Sequence, residues 1–204
     1  MNDKRNESLT ERFAGRLTNI VLLGFFTTLC SLPVITAGAA FTSLNVATKA
    51  YLYDDDDKPL RIFFSSFKEV FPLATKVWLL HVPVLAILVW DIVYYRTSDA
   101  TLDILAAAAI FVLLVFVILE MQMVFVLIGK NRTRKVWPCI KMALDISANC
   151  FWHCAMLLLF TASVIAVSLF IFRGLLLVMP GVIAFINWQF IPEILRRYRF
   201  REQR

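Results

Sequence analysis

Apolar residues run through this chain in blocks longer than a buried soluble helix needs. Val77–Tyr95 holds nineteen residues with one acid, Asp91, near its end. Ile104–Ile128 holds twenty-five with the single charge Glu120, and Phe151–Phe172 holds twenty-two with no acid or permanent base. Leu175–Pro192 holds eighteen uncharged residues around a Pro180-Gly181 break. At about 1.5 Å per residue, roughly 20 residues cross a ~30 Å hydrocarbon layer. The pattern therefore predicts membrane helices over 77–95, 104–128, 151–172 and 175–192.

Residues 13–53 are harder to divide. An apolar stretch over 13–32 meets Pro33, and 34–53 continue with Ala, Gly, Thr, Ser and one Asn. Forty residues are too many for one crossing, and proline disfavours helical geometry in Leu32 before it. Either two crossings lie here, or one crossing and a re-entrant piece. The basic residues choose. Four lie in 1–16, five in 49–76, five in 129–150 and five in the tail from Arg196; Arg96 and Arg173 stand apart. A hairpin returning to its own side puts nineteen of the twenty-one Lys and Arg on one face. Positive charge gathers in cytoplasmic loops, so the sequence predicts an all-α, polytopic bundle in a single membrane domain. It would have six segments, the first two a hairpin about Pro33, and both termini cytoplasmic. Trp78, Trp137, Trp152 and Trp188 then fall near the inner interface, and Trp90, Tyr94 and Tyr95 near the outer one, as amphipathic rings prefer.

Composition agrees: 60% of residues are hydrophobic and 18% charged, against about 45–50% and about 25% in soluble domains. The net charge of +6 points to anionic lipid at the cytosolic face rather than to nucleic acid. Cys30, Cys139, Cys150 and Cys154 have no zinc or redox spacing and read as packing residues. A basic start, an apolar run and Ala37-Gly38-Ala39 imitate a cleavable signal, but the chain beyond them is again polytopic, and no cleavage is expected.

Two cytosolic stretches are predicted to lie as amphipathic helices in the interface, at about 58–76 (Phe63, Phe64, Phe67 and Phe71 among Arg61, Ser65, Lys68 and Glu69) and 134–150. Each leads into an aromatic-and-histidine start, Trp78…His81 and Trp152-His153, with Lys68 and Lys141 ten and eleven residues before the tryptophan. This hints at an internal duplication. Asp54–Asp57 reads as a solvated hairpin exit, and the glycosylation-like Asn131-Arg132-Thr133 lies on the wrong face to be used.

Ionisable groups inside a membrane are costly and are default candidates for function. Glu120 lies eight residues from Ile128, about 12 Å into its helix. His81 and His153 each stand about a turn into theirs. Glu120 is within geometric reach of either histidine, or of Asn187 and Gln189. The pairing either holds the bundle together or handles a proton or solute. Asp91 lies near the outer interface, where it reaches water. H-E-x-x-H, G-x-S-x-G, C-x-x-C and G-x-x-x-x-G-K-[ST] are all missing, as is the E-A-A…G loop of an ATP-driven importer's permease. The chain is read as no enzyme, without cofactor.

The first hairpin carries a recognisable motif: Ser31-Leu32-Pro33-Val34-Ile35-Thr36-Ala37-Gly38-Ala39-Ala40. This resembles the opening signature of the YesL-like family, bacterial integral membrane proteins of unknown function. Phe64…Phe67-Lys68…Phe71 and Ile140-Lys141-Met142-Ala143-Leu144 are also similar, with Met142 where the family usually shows Asn. The resemblance implies a plasma-membrane protein with an accessory role in carbohydrate uptake through contact with importer permease subunits. It carries over no catalytic or ligand residues. Physically, Pro33 redirects the chain, Gly38 and Ala39 permit close helix approach, and Thr36 is expected to cap the second helix. The second functional reading is a small secondary transporter or channel using Glu120 and the polar face of 34–53.

Overall fold

The computed structural model describes residues 9–53, 58–96, 101–130, 135–171 and 177–202. They form seven α-helices, with no strand among the described residues: α1 Leu9–Ser31, α2 Ala37–Tyr53, α3 Pro59–Arg96, α4 Thr101–Lys130, α5 Val136–Asn149, α6 Phe151–Ile171 and α7 Met179–Glu202. Three stretches are long and apolar enough to cross a membrane: Pro59–Tyr95, Leu102–Gly129 and Phe151–Leu169. α1 contains a shorter apolar stretch, Leu17–Ser31. The acidic run at 54–57, the segment 131–134 and Arg173 lie outside the described residues.

Pro33 turns the chain where its chemistry requires. α1 stops at Ser31, and a single 3₁₀ turn, Val34–Thr36, leads into α2. α2 is built of small residues: Ala37, Gly38, Ala39, Ala40, Ser43 and Ala47 are all buried. Two partners surround its upper end, because a Cβ on Gly38 would stand 2.7 Å from Trp78 Cβ and 3.2 Å from the Phe125 ring. Lower down, Leu44 and Ala47 close over Phe63 together with Leu23 of α1 and Ala184 of α7.

α3 is thus shared. Its first half packs on the α1–α2 hairpin, and its second half packs on α4. A larger core joins Val77 to Leu119, Met123 and Leu127 of α4, Ile140 and Ile146 of α5, Cys154 and Leu157 of α6, and Ile194 of α7. Between α5 and α6 the helix breaks at Cys150, whose φ of −114° and ψ of 31° leave the α region although its N–H still donates to the Ile146 carbonyl.

Three expectations need correction. Residues 58–76 are no separate interfacial helix; they are continuous with 77–95 in α3. Phe63, expected to dip into lipid, is fully buried against the hairpin, while Arg61, Ser65, Lys68, Glu69 and Lys76 face outward. The change of polarity near Lys76 marks a change of surroundings, not a helix end. Likewise Pro180-Gly181 is no break. Both residues sit in the first turn of α7, where proline's missing N–H costs no intrahelical bond. The two stretches read as a duplication also differ, one straight through in α3 and the other interrupted at Cys150.

Trp78 Nε1 donates to the Val34 carbonyl at 2.6 Å. α3 then continues seventeen residues from Trp78 to Tyr95, about 26 Å at helical rise. The hairpin tip stops beside the start of the apolar half of α3, not beside its end.

Candidate functional site

Beyond Asp103 in its first turn α4 is apolar almost all round, so Glu120, deep in the helix, must find a partner. Antiparallel packing on α3 supplies it. The Trp78 and Phe125 rings meet at 6.1 Å, and from that contact three residues forward on α3 and five back on α4 bring His81 to Glu120. His81 Nε2 lies 2.6 Å from Glu120 Oε2, with both side chains buried. His81 Nδ1 lies 2.8 Å from the Val77 carbonyl. A carbonyl only accepts, so Nδ1 carries hydrogen, and Nε2 and Oε2 share one further proton.

Two arrangements satisfy this geometry: imidazolium with carboxylate, or neutral imidazole accepting from a carboxylic acid. Neither carries net charge. They differ at Glu120 Oε1, which is buried without a hydrogen-bond partner among the described residues. That atom is a carbonyl oxygen in the neutral arrangement and an anionic oxygen in the charged one, and leaving the anion bare costs more. Whichever holds, the pair fastens α3 to α4 between Val77, Leu119 and Met123, all fully buried.

The other candidates do not join it. His153 is half-buried and lines a separate groove between α6 and α7. Gln189 is exposed. Asn187 is buried, but its Oδ1 has no hydrogen-bond partner among the described residues, nor have Thr48 Oγ1 of α2 and Trp188 Nε1 of α7. Thr48 stands on α2, and Asn187 and Trp188 on α7, two helices that pack together through Leu44 and Ala184. Periodicity alone did not single out Thr48 or Trp188; what marks them is a polar atom on the buried stripe of an apolar helix.

The hairpin motif is mechanical. Thr36 Oγ1 reaches the carbonyls of Cys30 and, at 2.8 Å, Pro33. It therefore ties off the end of α1 rather than capping α2 as expected, because the 3₁₀ turn points its hydroxyl backward. Ser31 Oγ donates to the Thr27 carbonyl at 2.7 Å, and Leu32 is exposed. Ala39 is fully buried beside Gly38. Phe67 stacks on Phe63 and meets the Phe71 ring at a tilt, Lys68 is exposed, and Lys141 lies 5.6 Å over the Trp137 ring, a cation–π contact.

Residues 17–92 match a family described as a protein of unknown function, DUF624. The matched region covers the hairpin and α3 as far as Ile92, including His81, and ends before Glu120. No curated protein and no solved structure matches the chain.

Proposed function

We propose that this chain is a non-enzymatic, multi-pass protein of the bacterial plasma membrane that serves as a partner subunit of a carbohydrate importer. In this reading both termini are cytoplasmic and α3, α4, α6 and α7 cross. The α1–α2 hairpin enters from the cytoplasmic face and returns to it, which keeps the charge asymmetry because the hairpin begins and ends on the same side. α7 would begin on the outer side, and its start lies against Gly24 and Thr28 of α1, which supports a hairpin that runs as deep as α7 does.

One observation carries the partner role. Along α1, Leu17, Val21, Phe25 and Leu29 recur every four residues and are all exposed, and the turn adds exposed Leu32, Val34 and Ile35. This is a straight apolar edge, and a contiguous apolar face of this kind suits a neighbouring protein helix. The carbohydrate assignment rests on the YesL-like hairpin motif alone.

Two measurements test the reading. The chain should co-purify in mild detergent with importer permease subunits, and Phe25→Cys should cross-link to them; a chain that repeatedly emerges alone sinks the partner role. Ile35→Cys, in a background lacking the native thiols, should react with a membrane-impermeant maleimide applied outside intact cells. Protection from outside would instead sink a fully crossing hairpin.

The secondary-transporter reading draws support from the buried, unpartnered polar atoms of Thr48, Asn187 and Trp188 more than from Glu120, whose Oε2 is already engaged by His81.

A further inference from the structure

A groove of about 390 Å³ runs between α6 and α7, with Leu157, Phe160, Phe190 and Ile194 among its walls and His153 and Glu193 also lining it. Its direction is fixed. The two helices are antiparallel, and the Cys150 thiol comes 3.9 Å from the Ile194 carbonyl, so Glu193 lies toward the start of α6, where His153 stands. The opposite limit on α6 is Ser163, whose hydroxyl is spent on the Leu159 carbonyl at 2.8 Å. Ten residues from His153 to Ser163 span about 15 Å, the depth of one leaflet of a ~30 Å hydrocarbon layer. The groove is therefore polar at its interfacial end and chemically mute at its inner end.

The charges at the polar end are of both signs. Glu193 Oε2 holds Arg196 Nη2 at 2.9 Å, and both are solvent-accessible. We propose that this groove is a lipid site selective for phospholipids whose headgroup bears a primary ammonium. One acyl chain lies along Leu157, Phe160 and Phe190. The headgroup phosphate meets Arg196 and His153, and its ammonium donates to the Glu193 carboxylate. Glu193 is what makes the site choose. A glycerol headgroup leaves the lipid a net anion facing a carboxylate, and a choline headgroup has a cation with no N–H to donate. Arg196 alone would attract any anionic lipid; an acid in the groove wall argues for the zwitterion with a donor.

This inference rests on the membrane reading and not on a protein partner. The test uses the purified full chain, exchanged into detergent with equal amounts of phosphatidylethanolamine, phosphatidylcholine and phosphatidylglycerol, with retained lipid counted by native mass spectrometry. Ethanolamine lipid should be retained about tenfold over choline lipid, the discrimination expected of one charge-assisted hydrogen bond. Glu193→Gln should bring that ratio close to one with total bound lipid unchanged, whereas Phe160→Trp should lower total lipid by filling the groove. Equal retention of the ethanolamine and choline lipids by the native chain overturns the proposal, as does a glycerol-lipid preference or a ratio indifferent to Glu193→Gln. Cross-linking of Met156→Cys to a protein helix in place of lipid overturns it too. A chain that purifies without partners leaves these ratios readable, so failure of the partner role and failure of the lipid site are distinct results.

Discussion

Gly181→Leu is expected to unseat α7 from α1. A Cβ at this position would stand 2.2 Å from the Ile20 carbonyl oxygen and 2.8 Å from the Gly24 nitrogen, and a Cβ at Gly24 would meet the Val178 carbonyl at 2.2 Å. These obstacles are backbone, which has no rotamer to yield. Thr28 adds a hydrogen bond from its hydroxyl to the Leu177 carbonyl at 3.0 Å, so the two backbones are held as well as close. Small residues at such crossings let helices approach where lipid offers no hydrophobic drive to associate. Overpacking typically costs 1–3 kcal/mol, and a backbone clash on both helices belongs at or beyond the top of that range, about 3 kcal/mol. For about 200 residues that lowers Tm by roughly 6–12 °C. Tryptophan fluorescence during heating in detergent would measure it, and Gly24→Leu should behave alike. The double variant should fall well short of additive, because both remove the same crossing. Gly15 provides the contrast: a Cβ there would meet nothing within 4 Å, so Gly15→Ala should leave Tm unchanged or raise it through helix propensity. If Gly181→Leu melts with the native protein, this crossing is not a stabilising contact.

That crossing was invisible in the pattern of apolar positions, and the reason separates what was legible from what was not. Hydropathy reports a residue's solvent. It located α4 and α6 to within a few residues, because their ends coincide with a change from hydrocarbon to water, and proline chemistry located the turn after Ser31. It failed wherever helix and solvent boundaries part company. α3 passes through Lys68, Glu69 and Lys76 without ending, since charged side chains on an outward face do not interrupt backbone hydrogen bonds. α7 likewise extends through Arg196 and Arg197 to Glu202. Register is the other missing quantity. Glu120 was readable as a group in need of a partner, but choosing His81 over His153 requires knowing which helix packs on α4 and with what offset. The Trp78–Phe125 contact sets that offset. Gly24 did leave a trace: it is a helix-weakening residue flanked by Leu23 and Phe25 in an apolar run, a place where a lone glycine usually has a packing reason.

The second large effect is expected at the α3–α4 fastening, and the direction depends on what replaces the acid. Glu120→Ala should cost about 3–5 kcal/mol, the range for breaking a buried pair by removing one partner. It leaves His81 Nε2 facing a void, in a site packed by Leu119 and Met123. His81→Ala should cost a similar amount, by stripping Glu120 Oε2 of its partner and releasing the Val77 carbonyl as well. Glu120→Gln tells the two proton arrangements apart. The amide keeps the shape and donates an N–H to His81 Nε2, as a carboxylic acid would, so a neutral pair predicts a loss under about 1 kcal/mol. A charged pair predicts a loss near that of alanine, because an imidazolium would then face an amide. Replacing both residues together with leucine should recover most of the stability lost in either single variant, as apolar substitution of a whole buried pair often does. The same Glu120→Gln protein, reconstituted in liposomes, separates fastening from transport. If it stays folded and any proton- or solute-dependent flux of the native chain persists, Glu120 holds the bundle together. Loss of flux at unchanged Tm would make it a transport residue, because a purely mechanical tie that survives substitution has no means of stopping a solute.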